Sequence, residues 1–191
     1  VTRLTGVDGA DARSVSAALG TLVGQVQAAA KFLIDNIPGY EDAALAGVAP
    51  RVGVRETGRI VGEHVLDTDE VLEGVHHPDG VARGAHHVDI HGSGTYQLRR
   101  YIKEGRSFDI PLGALKPVGV DNVVIAGRCV SSTREANGSA RVMGPCIAMG
   151  EAAGVTASLA ADRGVGTATI DATMVREALE RRGALIGDDV P

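Results

Sequence analysis

NVVIAGRCVSSTREANGSARVMGPCIAMGEAAG, residues 122–154, is the stretch that decides the fold. It opens on a predicted strand at 122–126 that is apolar from Val123 onward, which is typical of a strand buried on both faces of a parallel sheet. Its end predicts a helix over about 145–162, with Pro145 in the first turn, where the missing N–H is not needed. Two glycines four residues apart cost that helix about 1 kcal/mol each relative to Ala, which predicts that another strand or helix approaches its backbone closely.

The loop between this strand and helix is rich in arginine and is bordered by cysteines. It holds or borders Arg128, Arg134 and Arg141, and the only cysteines of the chain are Cys129 and Cys146. A helix N-terminus offers free N–H groups and partial positive charge, so the loop predicts an anion or nucleotide cradle. The alternative is a surface loop with solvated arginines. The helix start predicts a lowered pKa for the thiol at 146, although small reduced side chains packed at the site are the simpler account.

The rest of the chain predicts helices near both ends and strands between them. Apolar residues at steps of three and four indicate a helix over 10–36 with Asp11 or Ser14 as N-cap, and its apolar stripe should pack. A last amphipathic helix is expected at about 171–182. Alternating patterns predict strands, and turn signals predict one short helix. The strands are expected at 51–55, 59–66, 95–103 and 107–113, and the short helix at 68–74.

Length and composition restrict the class of protein. A chain of 191 residues fits one ordinary domain or an incomplete piece of a larger one. The 44% hydrophobic and 23% charged content is typical of a soluble globular protein. Apolar stretches fall short of the ~20 residues that cross a bilayer, and no targeting pattern is visible, so we expect a cytoplasmic protein without a membrane partner. A net charge of −5 without a basic stripe argues against nucleic acid as a partner.

Several stretches together resemble a known family. GVDNVVIAGRCVSSTREANGSARVMGPCIAMGEAAGVTASLA resembles the C-terminal signature of FAD-dependent oxidoreductases related to the fumarate reductase and aspartate oxidase group. In that family a strand ends in Ala-Gly-Arg-Cys, a loop carries Arg-Val-Met, and a Gly- and Ala-rich helix follows. FLIDNIPGYEDAALAGVAPRVGVRETGRIVGEHVL, GAHHVDIHG and IPLGALKPVGVDNVVIAGR match further stretches in the same order. The resemblance covers roughly residues 10–165.

The resemblance implies an α/β fold. An α+β substrate part would be joined to the C-terminal strand and helix of an FAD/NAD(P)-binding Rossmann-like domain, which would be incomplete here. Four segments follow from it. They are a helical linking segment (1–48), a substrate or cap region with mixed strands (49–117), the return strand, flavin loop and helix (118–163), and a C-terminal helix and tail (164–191).

The resemblance also implies FAD as the cofactor. Residues 126–129 would lie by the flavin or its ribityl chain, and the start of helix 145–162 would point at the pyrimidine edge of the isoalloxazine. The helix dipole would stabilise the charge gained on reduction by about 1–2 kcal/mol. The family usually has Pro-Thr where this chain has Gly144-Pro145. The implied cofactor-binding residues are Ala126, Gly127, Arg128, Cys129, Arg141, Gly144, Pro145 and Cys146.

The family's pyrophosphate site is missing from this sequence. That site is a Gly-x-Gly-x-x-Gly turn between a strand and a helix, whereas HGSGTYQ and RGVGTAT follow no suitable strand and open no helix. We therefore expect the C-terminal part of a flavoenzyme, either a fragment or one half of a split protein. Its partners would be an N-terminal FAD-binding half, from the same gene or a separate subunit, and a small-molecule substrate. An incomplete α/β unit should expose apolar surface, so a homo-oligomer is possible.

Three residues are candidates for catalysis. The resemblance puts His91 in the substrate-binding part, where it would move a proton during hydride transfer; otherwise it is a hydrogen-bonded structural residue. Arg55 and Arg59 would bind an anionic or carbonyl substrate or donate a proton, and a structural Arg–Glu network is the alternative. A metal site is imaginable from five histidines and one aspartate of this region, but their spacing fits no familiar closed site, and we assign no metal. Those residues are His76, His77, His86, His87, Asp89 and His91.

These features favour an FAD-dependent oxidoreductase in which hydride passes between flavin N5 and a small organic substrate. The chain would be the C-terminal portion of that enzyme and inactive alone. Two other interpretations stay open. One is a non-catalytic assembly subunit that keeps the fold, and the other is a small α/β anion-binding module.

Overall fold

A computed structural model describes residues 2–92 and 96–186 of the chain. The helices are α1 (Ala12–Asn36), α2 (Thr68–Glu73), α3 (Arg134–Ala140), α4 (Met143–Arg163) and α5 (Ala172–Arg181). The strands are β1 (Gly80–Gly84), β2 (Val88–His91), β3 (Gln97–Arg100) and β4 (Phe108–Pro111). The chain is α/β, as predicted, and it divides into two compact units, residues 1–58 and 59–191.

The first unit contains α1, the predicted N-terminal helix. Asp11 caps it, because its carboxylate accepts the N–H groups of Arg13 at 3.2 Å and Ser14 at 3.0 Å. The apolar stripe does not pack as expected. Among the described residues of α1 only Ala18 is buried, while Phe32 is 58% exposed. The helix follows from local pattern and capping, but its apolar face stays open.

The length and composition of α1 would allow it to cross a membrane, and so would those of α3 and α4 if they formed one bent span. The expectation of a protein without a membrane partner stays a prediction. Such helices are weak evidence of a membrane protein, because core helices and signal sequences have the same properties. The cytoplasmic location stays a prediction.

Two predicted strands in the first half of the chain do not form. Residues 51–55 have no strand assignment and appear in neither of the two described sheets. Residues 59–66 make only isolated bridges, Gly62 to Pro117 and Leu66 to Ser132. The alternating pattern indicated extended backbone correctly for this second segment, but a strand also requires a regular ladder with a neighbour.

The predicted strand at 122–126 is also absent. Its described residues have no strand assignment, and Ile125 N–H donates to the Leu115 carbonyl at 2.8 Å. Val123 is 40% exposed, so the run is not covered on both faces. An apolar run indicates burial potential, whereas a parallel sheet needs a partner strand to complete it.

The second unit is organised around two antiparallel strand pairs. β1 pairs with β4, and β2 pairs with β3. α4 and α5 lie against β1, and α3 lies against β2. The core is formed by fully buried apolar side chains from β4, from the turn that follows it, and from α4 and α5. They include Phe108, Ile110, Leu115, Met149 and Leu179. The predicted helices near 68–74, 145–162 and 171–182 are confirmed, and α3 was not predicted.

The glycines of α4 do not mark a close approach of another element. A Cβ added at Gly150 or Gly154 would meet no described atom within 4 Å. Ile147, one turn before Gly150, is 73% exposed. The expectation that another backbone packs on this face is therefore wrong for the described chain.

Candidate functional site

The start of α4 lies at a sharp bend of the chain. α3 ends at Ala140, α4 begins at Met143, and the two helix axes differ by 90°. Val142 is the N-cap residue of α4, and no side chain among the described residues caps its first turn. Pro145 is buried, whereas Met143 and Gly144 are exposed. The first turn therefore presents backbone N–H groups that intrahelical bonds leave unsatisfied.

Arg141 lies in this bend and reaches β2. Its guanidinium Nη2 donates to the Asp89 carbonyl at 3.0 Å and lies 3.6 Å from Asp89 Oδ2. Both side chains are largely buried, 11% exposed for Arg141 and 14% for Asp89. A charge pair this sheltered from water needs such contacts to offset its desolvation. The interaction joins residues 52 positions apart and ties the start of α4 to the second strand pair.

Asp89 also accepts hydrogen bonds from two polar side chains of the β2–β3 hairpin. His91 Nε2 donates to Asp89 Oδ2 at 2.9 Å, and Gln97 Nε2 donates to Asp89 Oδ1 at 2.6 Å. The strand register sets Gln97 opposite His91, which puts both side chains on one face with Asp89. We refer to Arg141, Asp89, His91 and Gln97 as the Asp89 cluster. It holds an imidazole whose Nε2 proton is fixed by a carboxylate, an arrangement suited to proton transfer through Nδ1.

Helix α3 positions β2 by close packing. Thr133 caps it by accepting the Ala136 N–H at 3.3 Å. A Cβ on Gly138 would lie 3.2 Å from the carbonyl oxygen of Asp89, so a side chain there would press on the β2 backbone. Ser139 Oγ donates to the His86 carbonyl just before β2. Small residues in the Asn-Gly-Ser-Ala run are therefore required by the distance between α3 and β2.

The turn at 126–129 is held from two sides. Gly127 has φ +92°, which favours glycine, and Val130 N–H donates to its carbonyl at 3.1 Å. The buried Asn137 donates from Nδ2 to the Arg128 carbonyl at 3.0 Å. Ile60 N–H donates to the Cys129 carbonyl at 3.0 Å. The Ala-Gly-Arg-Cys run is thus a fixed turn attached to α3.

Cys146 does not have the lowered pKa that its place in the first turn of α4 predicts. Burial raises its pKa above the ordinary value and outweighs the Arg128 charge, which lowers it; Cys129 raises it further. The thiol donates to the Arg141 carbonyl at 3.2 Å. The prediction from helix position was wrong because it left out desolvation, and the residue is a packed thiol at neutral pH.

The two arginines predicted to act in catalysis belong to different units of the chain. Arg55 is exposed in the first unit. Arg59 belongs to the second unit, where its Nε donates to the Ser132 carbonyl at 3.0 Å. That hydrogen bond gives Arg59 a structural contact within the second unit, and the predicted Arg–Glu network stays a prediction. Their catalytic roles stay predictions.

Sequence reasoning missed some members of the site. Gln97 enters the Asp89 cluster through the hairpin register, which no pattern in the sequence specifies. Asn137 fixes the Arg128 turn from within a segment taken for a loop. The Thr133-Arg134-Glu135 run, an N-cap residue followed by helix formers, was the available signal for α3.

Comparison with known proteins identifies the family. A family model described as FAD dependent oxidoreductase matches residues 3–179 of the 191-residue chain. The chain belongs to the FAD-dependent oxidoreductase family. No curated protein and no solved structure matches it.

The cofactor of this family is FAD, and the residues around the bend fit a flat anionic group. A Cβ at Gly127 or at Gly144 would meet no described atom within 4 Å, so the backbone is accessible at both positions. Arg128 is exposed and carries positive charge beside the first turn of α4. Uncapped N–H groups together with arginine are donors suited to the polar edge of a flavin or to a phosphate.

Proposed function

We propose that the chain is the C-terminal portion of an oxidoreductase of the fumarate reductase and aspartate oxidase group, in which hydride passes between flavin N5 and a small organic substrate. The observation that carries the proposal is the contact of Arg141 with Asp89. Under this proposal, that contact would hold the flavin-facing bend beside the proton-transferring group of the substrate part. Reduction of a carbon substrate by hydride transfer requires a proton donor beside the flavin edge, and oxidation requires a proton acceptor there.

We further propose that an N-terminal half with a Gly-x-Gly-x-x-Gly turn completes the FAD site. The matched family uses a dinucleotide, and such folds hold its pyrophosphate on a glycine-rich turn after a strand. The unpaired apolar run at 122–126 is the segment to which a partner strand would add. The N-terminal half belongs either to the same polypeptide or to a separate subunit.

The chain's own residues have distinct roles in this proposal. FAD, when bound, supplies the hydride acceptor or donor. The backbone of the 126–129 turn and of Gly144 would hold it, with Arg128 and Arg141 supplying positive charge. His91 would give a proton to the substrate or take one from it, and Asp89 would hold the imidazole in one tautomer. Arg141 would hold Asp89 in place through its contacts with the Asp89 carbonyl and carboxylate.

Reassembly with the upstream half tests this proposal. The chain is co-expressed with the coding segment directly upstream, purified, supplied with FAD, and examined for flavin absorbance and its bleaching by substrates. We expect a yellow assembly. Arg141→Gln should weaken FAD binding about tenfold, because a charge of this kind contributes on the order of 1.4 kcal/mol. His91→Asn should keep the bound flavin and lose substrate-dependent bleaching.

Arg163→Gln is the control, because Arg163 is an exposed arginine in the last turn of α4, at the opposite end of that helix from the bend that contains Arg141. It should leave flavin binding unchanged. An assembly that contains the glycine-rich half and stays colourless with excess FAD would contradict the proposal and favour a non-catalytic assembly subunit. A yellow assembly in which His91→Asn still bleaches normally would remove His91 from the mechanism.

A further inference from the structure

A second group of ligand-type side chains lies outside the Asp89 cluster. Its members are His64, Glu70 and His77, and the ligand atoms all lie within 4.8 Å of one another. Glu70 Oε1 is 2.9 Å from His64 Nε2 and 2.9 Å from His77 Nε2. The three come from separate parts of the second unit, an extended segment, α2, and the loop before β1. We call them the His64–Glu70–His77 group.

Hydrogen bonding does not account for the buried nitrogen of His77. Its Nε2 has almost no solvent-accessible area, and among the described residues it has no hydrogen-bond partner. The Glu70 oxygen is close enough, at 2.9 Å, but it does not lie along the N–H direction. A buried nitrogen without a partner is costly, and in the tautomer that carries its proton on Nδ1 the Nε2 lone pair is available to bind a cation.

Glu70 is held in position by a second interaction. Its Oε2 accepts the Asp67 N–H at 2.7 Å, while Asp67 Oδ1 accepts the Glu70 N–H at 2.9 Å. This reciprocal capping box fixes the carboxylate at the start of α2. The rings of His64 and His77 meet edge to face with centroids 5.2 Å apart. The nitrogens are therefore arranged around an oxygen that does not move freely.

We propose that the His64–Glu70–His77 group binds a divalent metal ion of the zinc class. Two neutral imidazoles and one carboxylate are ligands that Zn²⁺ favours, with metal–ligand bonds of about 2.0–2.2 Å. Ligand atoms on a tetrahedral centre of that size are about 3.3 Å apart. The two 2.9 Å separations need to open by only a few tenths of an ångström. Coordination would give the His77 Nε2 lone pair its partner.

The site is open enough for a metal to enter and for water to complete its coordination. The His64 side chain is 33% exposed, against 17% for His77 and 18% for Glu70. His64 also lines a cleft of about 440 Å³ whose lining contains three acidic residues, Glu63, Asp79 and Asp171, and one lysine, Lys116. The acidic residues outnumber the lysine, so the cleft would attract a cation. The metal would have three protein ligands and a fourth coordination position open to water. Its binding would link α2 to the segments on either side.

Equilibrium dialysis of the untagged full chain against Zn²⁺, after removal of metal with EDTA, tests the site. We expect one ion bound per chain, with Co²⁺ replacing it and giving the visible absorption of a four-coordinate centre. At 100 times the dissociation constant, Zn²⁺ should raise Tm by roughly 5–10 °C. His77→Asn and Glu70→Gln should each weaken binding at least about tenfold. Glu70→Gln retains an oxygen for the Asp67 N–H and so preserves the cap of α2.

His76→Asn is the matched control, because His76 neighbours His77 but its Nε2 contacts the Ser107 carbonyl at 3.1 Å instead of the group. It should bind Zn²⁺ as the unaltered chain does, and far-UV circular dichroism should show that all variants fold. Absence of Zn²⁺ and Co²⁺ binding by the folded chain would overturn the proposal. One bound ion that His77→Asn and Glu70→Gln leave unaffected would also overturn it, by placing the metal elsewhere. Neither result bears on flavin binding.

Discussion

Cys146 illustrates at the residue scale how burial and charge compete at one atom. The start of a helix lowers the pKa of a thiol, and so does the Arg128 charge, but the loss of water around sulfur is the larger effect. The thiol is partly buried and donates to a carbonyl oxygen at the bend. The residue therefore packs at the turn proposed to face the flavin, and little of it is the nucleophilic thiolate at neutral pH.

The raised pKa of Cys146 predicts slow alkylation. At pH 8 iodoacetamide should modify Cys146 more slowly than glutathione, by about tenfold for each unit by which its pKa is higher. Arg128→Gln should slow the reaction further, because that side chain lowers the pKa. Peptide mass spectrometry across a pH series measures the rate at Cys146 separately from that at Cys129. Faster alkylation than glutathione would mean that the helix start, not burial, controls this thiol.

The pairing of β1 with β4 shows at the element scale why a glycine is needed in a strand. Gly84 is paired with Phe108 across the sheet, and a Cβ at Gly84 would lie 2.5 Å from the Phe108 ring. Phe108 is fully buried and is the largest of the fully buried side chains in the described core. The absence of a side chain at one strand position thus makes space for the largest core residue on its neighbour.

Gly84→Ala should therefore destabilise the protein by about 1–3 kcal/mol, the usual cost of overpacking a core. Chemical denaturation followed by far-UV circular dichroism measures the free energy of unfolding. Gly150→Ala is the matched control. Its Cβ would meet no described atom within 4 Å, so it should stabilise α4 by about 0.5–1 kcal/mol. Equal changes in the free energy of unfolding from the two substitutions would show that the Phe108 ring can move aside to accept the new Cβ.

At the scale of the whole molecule, His87 makes the stability of the folded chain depend on pH. Its ring stacks on His86 with centroids 4.2 Å apart and lies 5.2 Å from the Tyr101 ring centroid. Burial lowers the pKa of His87, and so do the charges of His86 and Arg99, while Asp89 opposes them. The folded chain therefore takes up this proton less readily than the unfolded chain does.

The sign of the pH effect follows from that difference. Above the ordinary histidine pKa of about 6.5 neither state holds the proton, and His87 has no effect. As pH falls through that value the unfolded chain is protonated first, so stability decreases. We expect Tm to fall more between pH 7.5 and 5.5 for the unaltered chain than for His87→Gln. An equal fall in both would show that the imidazole is free to ionise in the folded chain.

Local sequence rules located most helices correctly across the whole molecule. The caps at Asp11 and Asp67 and the apolar periodicity of α4 and α5 act over a few residues, so they can be read without the fold. The same holds for the strands 97–100 and 108–111, which lie inside predicted strands. The predicted strands at 51–55, 59–66 and 122–126 failed because a strand depends on a partner that local pattern does not specify.

What the sequence by itself determined is the FAD-dependent oxidoreductase family, the helices α1, α2, α4 and α5, and a turn of small residues with Arg128 and Arg141 that we propose to hold the cofactor. These depend on contiguous motifs and on steric demands within a few residues. The tertiary structure alone decided that Arg141 meets Asp89, that Gln97 joins His91, and that His64, Glu70 and His77 converge. Such groupings depend on strand register and on how segments far apart in the chain pack. Burial also reversed the predicted pKa shift of Cys146, because desolvation depends on neighbours that the sequence does not name.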